Sequence, residues 1–376
     1  MRARIGSRVP AVLAGLAGLA LAATPAVARD PFVGPLNTVD VVASTVPANG
    51  DQNPYGVAVV KDSVGALHRG NVLVSNFNNN VPPTGQQGTG KTIVQVSPDG
   101  TVGLFAQIDP NNLPGPCPGG VGLTTALTIL PGGWVVVGST PTSDGMPDTL
   151  GAGCLLVLDS TGTVRETIAG HGINGPWDMT SVSFGDMSEL FVTNVLNGTV
   201  AGNNNEVDKG TVLRISLRRD RSDKGDPPRL VDTTQIGSGF GEKTDPSALV
   251  IGPTGVGLGR GDTLYVADTL GNRITAIPNA VRRDSDAGTG RTVSSGGNLN
   301  GPLGLAIAPD GDILTVNSLD GNLVETTPRG NQVAVRVLDA TGTPPGAGAL
   351  FGLAVNLDRN AVYFVDNATN TLNVLH

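Results

Sequence analysis

The chain has 376 residues, of which 54 are glycine and 27 proline, with aromatic side chains at 3% and a formal net charge of −8. So much Gly and Pro, with few strong helix-forming runs, excludes a helical protein and predicts a nearly all-β chain with tight turns. The acidic balance repels phosphate backbones, which argues against nucleic acid as a partner.

At the N-terminus, Arg2, Arg4 and Arg8 precede the apolar run 9–23, and Ala26-Val27-Ala28 supplies a small-x-small cleavage site. That is the pattern of a secretory signal peptide over residues 1–28, cleaved near Ala28. The run is shorter than the roughly 20 residues needed to span a bilayer, and no later stretch reaches that length uninterrupted. The expectation is a soluble mature chain from 29 to 376, secreted or periplasmic, with no membrane span. Cleavage removes three arginines and no acids, taking the formal net charge from −8 to −11. Cys117 and Cys154 both lie in the exported part, where oxidising conditions predict a disulfide between them.

A repeat governs the rest of the chain. Each unit opens on Pro-x-Gly or a close variant that leads into a short apolar strand, as in Pro54-Tyr55-Gly56, Pro302-Leu303-Gly304 and Leu350-Phe351-Gly352. A second strand ends in Asn or Asp, at Asn76, Asn194, Asp268, Asn317 and Asp366, and four residues later stands Asn or Gly, at Asn80, Gly198, Asn272, Gly321 and Asn370. Asn and Asp bond nearby backbone amides and tolerate left-handed turns, so this spacing makes a tight hairpin. Counting the opening elements gives six units, starting near 54, 122, 176, 246, 302 and 350. Unit 2 is degenerate, with Ser139 where Asn or Asp is expected. Residues 61–70, 201–210, 218–228 and 253–261 read as surface insertions. One sheet of this kind cannot cover its own faces, whereas a closed circle can. The chain ends on a third strand, 371–376, with no fourth after it, and an alternating strand at 38–44 has no unit of its own. Pairing the two predicts an all-β, six-bladed β-propeller, closed by an N-terminal strand that completes the last blade.

The segment Leu264 to Ile274, a Leu-x-Val-x-Asp strand followed by Asn-Arg-Ile, resembles the NHL repeat, and Gly301 to Gly311 is similar to opening elements of both NHL proteins and the SMP-30/gluconolactonase group. That resemblance covers the whole mature chain. It implies one scaffold shared by lactonases, lyases and binding platforms. In the lactonases it further implies a divalent cation on the axis, held by Glu, Asn and Asp at the x positions. Here those positions read Tyr55, Leu123, Trp177, Ser247, Leu303 and Phe351, a set unsuited to a hard cation, which needs several converging oxygens. No metal and no cofactor is therefore expected. Asp178 and Asp245 are stray carboxylates near that mouth.

The amidating-lyase branch implies histidines around zinc, but His68, His171 and His376 stand far apart in the repeat scheme. Residues 85–92, Gly-Gln-Gln-Gly-Thr-Gly-Lys-Thr, match the phosphate-loop expression, yet a loop precedes them and a strand follows, so they read as a hairpin loop. The run 203–208 reads as a polar loop. No catalytic set can be assembled. What remains is an apolar axial funnel of Tyr55, Leu123, Trp177, Ser247, Leu303 and Phe351, with Asp178 beside it, expected to bind a small apolar ligand or a protein partner's side chain. The sequence thus predicts a ligand- or protein-binding platform, with a gluconolactonase-like hydrolase or lyase of rearranged site as the rival.

Overall fold

The computed structural model describes residues 30–80, 86–220 and 225–376, preceded by residues 1, 3 and 6. The apolar run 9–23 and the cleavage point near Ala28 lie outside the described residues.

After β1 (Val39–Ser44), four strands make blade 1: β2 (Asp51–Val59), β3 (Val72–Asn79), β4 (Thr92–Val96) and β5 (Val102–Gln107). Blade 2 holds β6 (Leu123–Leu130), β7 (Trp134–Ser139), β8 (Cys154–Leu158) and β9 (Val164–Ile168). Blade 3 holds β10 (Gly175–Phe184), β11 (Met187–Val195), β12 (Val207–Arg218) and the long β13 (Arg229–Asp245), with the short β14 (Leu249–Ile251) added at its edge. Blade 4 is β15 (Pro253–Leu258), β16 (Leu264–Asp268), β17 (Arg273–Ile277) and β18 (Arg291–Ser295), and blade 5 is β19 (Pro302–Ile307), β20 (Ile313–Asn317), β21 (Asn322–Thr326) and β22 (Gln332–Val337). Blade 6 is β23 (Leu350–Asn356), β24 (Ala361–Asp366), β25 (Thr371–Leu375) and, as its outer strand, β1. The six-bladed propeller and its closure by the N-terminal strand are as the repeat predicts.

Closure is a full antiparallel register, from Val39 opposite Leu375 to Ser44 opposite Thr371. His376 Nε2 lies 2.8 Å from Asp40 Oδ2, and the His376 carbonyl accepts the amides of Asn37 and Thr38. The segment ahead of β1 is held separately. Glu325 accepts the amides of Phe32 and Val33 at 2.7 and 2.8 Å, and Arg336 donates to the carbonyls of Gly34 and Leu36.

The core lies between blades, because each sheet buries side chains on both faces. Leu73 and Ile93 meet Leu123, Val135 and Leu156, Leu155 meets Leu190 and Val192, and Phe191 and Phe240 meet Val256 and Leu264. The circle continues through Ile274 on Val324, Val316 on Phe364, and Tyr363 on Val74. Cys117 and Cys154 form the disulfide, with Cα atoms 5.3 Å apart, stitching the connection between blades 1 and 2 to the centre of blade 2.

The hairpin grammar is physical. The Asn194 carboxamide accepts the amides of Asn174 and Gly175, and Asp268 accepts the Arg273 guanidinium at 2.7 Å and the Gly271 amide. Gly198, Asn272, Gly321 and Asn370 take positive φ, as the turns require. One boundary differs from the sequence reading. Blade 4 opens at Pro253, not near 246, and 253–258 is its innermost strand rather than an insertion. In each unit the opening residue pairs with the end of the second strand: Pro54 with Asn76, Pro302 with Asn317, Leu350 with Asp366 and Pro253 with Asp268. Asp245-Pro246-Ser247 is instead the exposed turn from β13 to β14.

Deleting residues 38–44 strips the outer strand from blade 6 and bares the edge of β25. The expected result is a melting temperature lower by about 10 °C and concentration-dependent oligomers, read by thermal unfolding and size-exclusion chromatography.

Candidate functional site: the propeller hub

The six innermost strands, β2, β6, β10, β15, β19 and β23, pair on one side only, so each turns an edge without a ladder partner toward the axis. All six carry a break in register just after the opening element, as between Pro54 and Val57 or Pro302 and Leu305. At that level the strands come very close. A Cβ on Gly255 would collide with the Leu303 carbonyl, one on Gly304 with that of Phe351, and one on Gly352 with that of Tyr55. Hydroxyls lock other junctions: Ser75 Oγ donates to the Thr124 carbonyl (2.8 Å), Thr124 Oγ1 to Pro176 (2.7 Å), Thr193 Oγ1 to Thr254 (2.7 Å) and Thr269 Oγ1 to Pro302 (2.8 Å).

Above this constriction the axis is filled. Tyr55 stacks on Phe77 at 4.5 Å and on Phe351 at 4.1 Å, and Trp177 meets Tyr55 and Phe77 edge-on at 6.1 and 5.6 Å. Tyr55 is 2% exposed and Trp177 4%. Burial pushes the Tyr55 phenol well above its ordinary range. Of the residues expected to line an open funnel, the structure brings Tyr55, Trp177 and Phe351 together, as a plug of rings packed on each other. Leu123 is buried between blades 1 and 2, Leu303 is half-buried on blade 5, and Ser247 lies off the axis with its hydroxyl on Asp245 Oδ1 at 2.6 Å. The axial counterpart of Ser247 is Thr254, 1% exposed and bonded to the Gly252 carbonyl. Phe77, next after the Asn76 that ends the repeated strand pattern, was missed because the repeat assigns that position to a turn.

Below the constriction lies an open channel of about 870 Å³. Its closed end is ringed by Val57, Thr125, Asp178, Val256, Leu305 and Gly352, the first residue of each innermost strand to line it. Farther along, one side carries hydroxyls, including Thr128 and Ser181, 2.7 Å apart, and the other side aliphatics such as Ile307 and Val355. The mouth lies among the loops that join first to second strands, where Arg69 bridges to Asp358 at 2.9 Å. Lys61 and Asp62 stand on the same rim.

Asp178 is the one titratable group at the closed end. Protein surrounds it on every side but the channel, and that desolvation pushes its carboxyl well above the ordinary 3.8, opposed in part by the amides of Met179 (2.7 Å to Oδ1) and Val256. A second perturbed acid, Glu242, stands behind Val195 and beside Gly252, off the channel. Its Oε1 accepts the Asn197 amide at 2.8 Å while Oε2 is buried without a partner, and burial raises it to about 7.

A cation on the axis at the x positions does not fit this structure. Four aromatic rings occupy that end, Leu123 is buried between blades 1 and 2, and Thr254 and Leu303 add a bonded hydroxyl and hydrocarbon where several carboxylate or carbonyl oxygens are needed. Among the described residues one acidic group gathers elsewhere, Asp310, Asp312 and Glu325, within 4.8 Å of one another. Glu325 spends its carboxyl on the amides of Phe32 and Val33, and none of the three lines the channel. His68 sits on an exposed loop of blade 1, His171 on a turn before blade 3 and His376 against Asp40, three separate elements. Gly85 lies outside the described residues. From Gln86 onward that segment joins β3 to its antiparallel partner β4, without the helix a phosphate loop needs. Residues 203–206 form an exposed turn after the short helix Thr199–Gly202.

Two substitutions test this geometry. Gly304→Ala should destabilise the protein by about 2–3 kcal/mol in denaturant titration. Gly103→Ala, on the outer strand β5 with its nearest neighbour 4.0 Å away, should have little effect. For Glu242, a folded-state value raised from 4.5 means the folded chain holds the proton more tightly. Stability should be full below about 4.5 and fall as pH rises toward about 7, by on the order of 3 kcal/mol. Melting curves from pH 4 to 8 should show that slope, and Glu242→Gln should flatten it.

No family model matches the sequence, and no curated protein matches it. Solved structures do resemble it in fold. XC5397 from Xanthomonas campestris, a gluconolactonase, is 15% identical, with 90% of this chain and 88% of that chain covered and a TM-score of 0.54. Regucalcin from Agrobacterium tumefaciens, a calcium-binding protein, is 11% identical over 89% and 94% of the two chains at 0.53, and a luciferin-regenerating enzyme 10% identical over 90% and 94% at 0.53. At such identities the likeness shows the fold alone: the chain is a six-bladed β-propeller of the gluconolactonase-like architecture.

Proposed function

We propose that the mature protein is exported and serves as a binding platform whose axial channel receives a small ligand with an aliphatic body. The observation that carries this reading is the asymmetry of the hub: one end sealed by Tyr55, Phe77, Trp177 and Phe351, the other an open cavity of about 870 Å³. That volume suits a drug-sized molecule, and a wall that is aliphatic on one side and hydroxylated on the other fits an amphipathic one. The basic apolar leader supports export, and the Cys117–Cys154 bridge is of the kind oxidising compartments favour. Among the described residues, no helix is long and apolar enough to cross a membrane.

Hydrolase or lyase chemistry is the second reading. One observation favours it: Asp178, whose carboxyl burial pushes well above its ordinary range, faces a cavity, as a proton donor would. Against it, the other titratable groups lining the channel, Lys61, Asp62, Arg69 and Asp358, all stand at the mouth, so no second group works beside Asp178.

Calorimetry with straight-chain alkanols tests the first reading. Affinity should rise about fourfold per added methylene until the channel is filled, as roughly 0.8 kcal/mol per buried CH₂ requires. Ala306→Trp with Ala354→Trp, both on the channel wall, should abolish it. An absence of binding in the unmodified protein would reject the channel as a ligand site. Lactone turnover that disappears in Asp178→Asn would establish the second reading instead.

A further inference from the structure

We propose that the closed end of the channel is a site for a protonated amine, with Asp178 as its counter-charge and the ligand's aliphatic chain lying along the channel toward the mouth. This rests on the channel being a ligand site and specifies which chemical class it takes.

Asp178 stands among elements that carry almost no charge. Its strand β10 packs against β6, β7, β8, β11 and β15. Four of these, Leu123–Leu130, Trp134–Ser139, Cys154–Leu158 and Pro253–Leu258, contain no ionisable side chain apart from Cys154, which is in the disulfide. The fifth, β11, contributes only Glu189, opposite Val182 toward the mouth end, and that carboxylate is already engaged by Ser216 Oγ at 2.6 Å and Arg214 at 3.7 Å. The groups bonded to Asp178 are uncharged: its carboxyl accepts the amides of Met179 and Val256, and its own amide donates to Thr193 Oγ1. A carboxyl at the closed end of a protein-walled cavity whose lining cations, Lys61 and Arg69, stand at the far mouth is either neutral or in want of a counter-charge, since an uncompensated buried charge is expensive. The cavity leads directly to it, so a ligand can bring the missing charge.

The rest of the closed end suits an ammonium rather than a guanidinium. An ammonium has three donors on one compact centre. Asp178 lines the lumen, and beside it Thr125 Oγ1 and Thr193 Oγ1, which donate to the Trp177 and Thr254 carbonyls, keep lone pairs that an ammonium can use. Beyond that ring, Val57, Leu305, Ile307 and Val355 give an aliphatic wall. No aromatic side chain lines the channel, so stacking of a flat ring against an aromatic is not what it offers. The acidic net charge of the chain, −8, draws cations toward it.

The proton balance is fixed by this arrangement. The amine enters protonated, and whatever proton the free Asp178 carboxyl holds passes to solvent as the ion pair forms. Affinity should therefore rise with pH over the range where free Asp178 is protonated, with up to one proton released per ligand bound.

The test is calorimetry with n-octylamine against n-octanol, which share a chain and differ in the head group. At pH 7 to 8 the amine should bind at least about tenfold tighter than the alcohol. Repeating the amine titration in buffers of different ionisation enthalpy should reveal proton release. Asp178→Asn should erase the amine's advantage while leaving n-octanol binding in place. The proton-release measurement uses the unmodified protein alone, so it decides the matter even if that variant fails to fold. If the alcohol binds as well as the amine, or amine binding takes up protons or weakens as pH rises, the amine site is refuted and the channel reading stands. If neither molecule binds, the channel reading falls, and this one with it.

Discussion

Everything in the molecule's hub follows from how closely six innermost strands approach one another at one level of the axis. At Gly255, Gly304 and Gly352 the neighbouring blade's carbonyl occupies the space a Cβ would need. Because the glycines draw the backbones in, the residues just before them, Tyr55, Leu303 and Phe351 among them, must turn off the strand line, and each innermost strand breaks register there. Hydroxyl-to-carbonyl bonds from Ser75, Thr124 and Thr193 hold the junctions from blade 1 round to blade 4, and Thr269 adds one at the junction that Gly255 makes close. A constriction held this way divides the axis into a packed end and an open end.

Much of this was legible in the sequence, since the repeat is written in residues whose roles are local. An Asn or Asp ending the second strand and a Gly or Asn four residues later encode a hairpin through backbone contacts that any blade can make alone. The unpaired strand 38–44 and a chain ending on a third strand state the closure directly. Pro253 could have been found the same way, because it stands as far before Asp268 as Pro302 does before Asn317; the nearby Asp245-Pro246-Ser247 competed for the assignment with an equally good turn signal. What could not be read was the direction in which the hub opens. Aromatic residues at three axial positions fit a lined funnel and a filled one equally well, and only Phe77, contributed from the second strand of blade 1, decides between them by stacking on Tyr55.

Two of the acids that burial raises show the same division from the energetic side. Glu242 and Asp178 are each penalised by burial, yet they differ in what they face. Glu242 is enclosed, its Oε2 without a partner, and its cost is one the interblade packing must offset. Asp178 opens onto a cavity, so its cost can be relieved from outside. A buried carboxyl that a ligand can reach stores a preference for whatever neutralises it, whereas an enclosed one makes only stability depend on pH.

Sealing one end also relocates selectivity. With the ring of opening elements packed shut, a ligand must pass the loops that join first to second strands, and these are unequal. In blade 1 that connection runs from Val60 to Asn71, whereas between β23 and β24 it is only Leu357 to Asn360. The long loop brings Arg69 across to Asp358, placing an exposed ion pair between the blade in which the chain begins its circuit and the one in which it ends. An exposed pair of this kind contributes little to stability. Its consequence lies in its position: Arg69 and Asp358 line the mouth, so an entering ligand passes between a cation and an anion that are no part of the interblade cores that hold the fold.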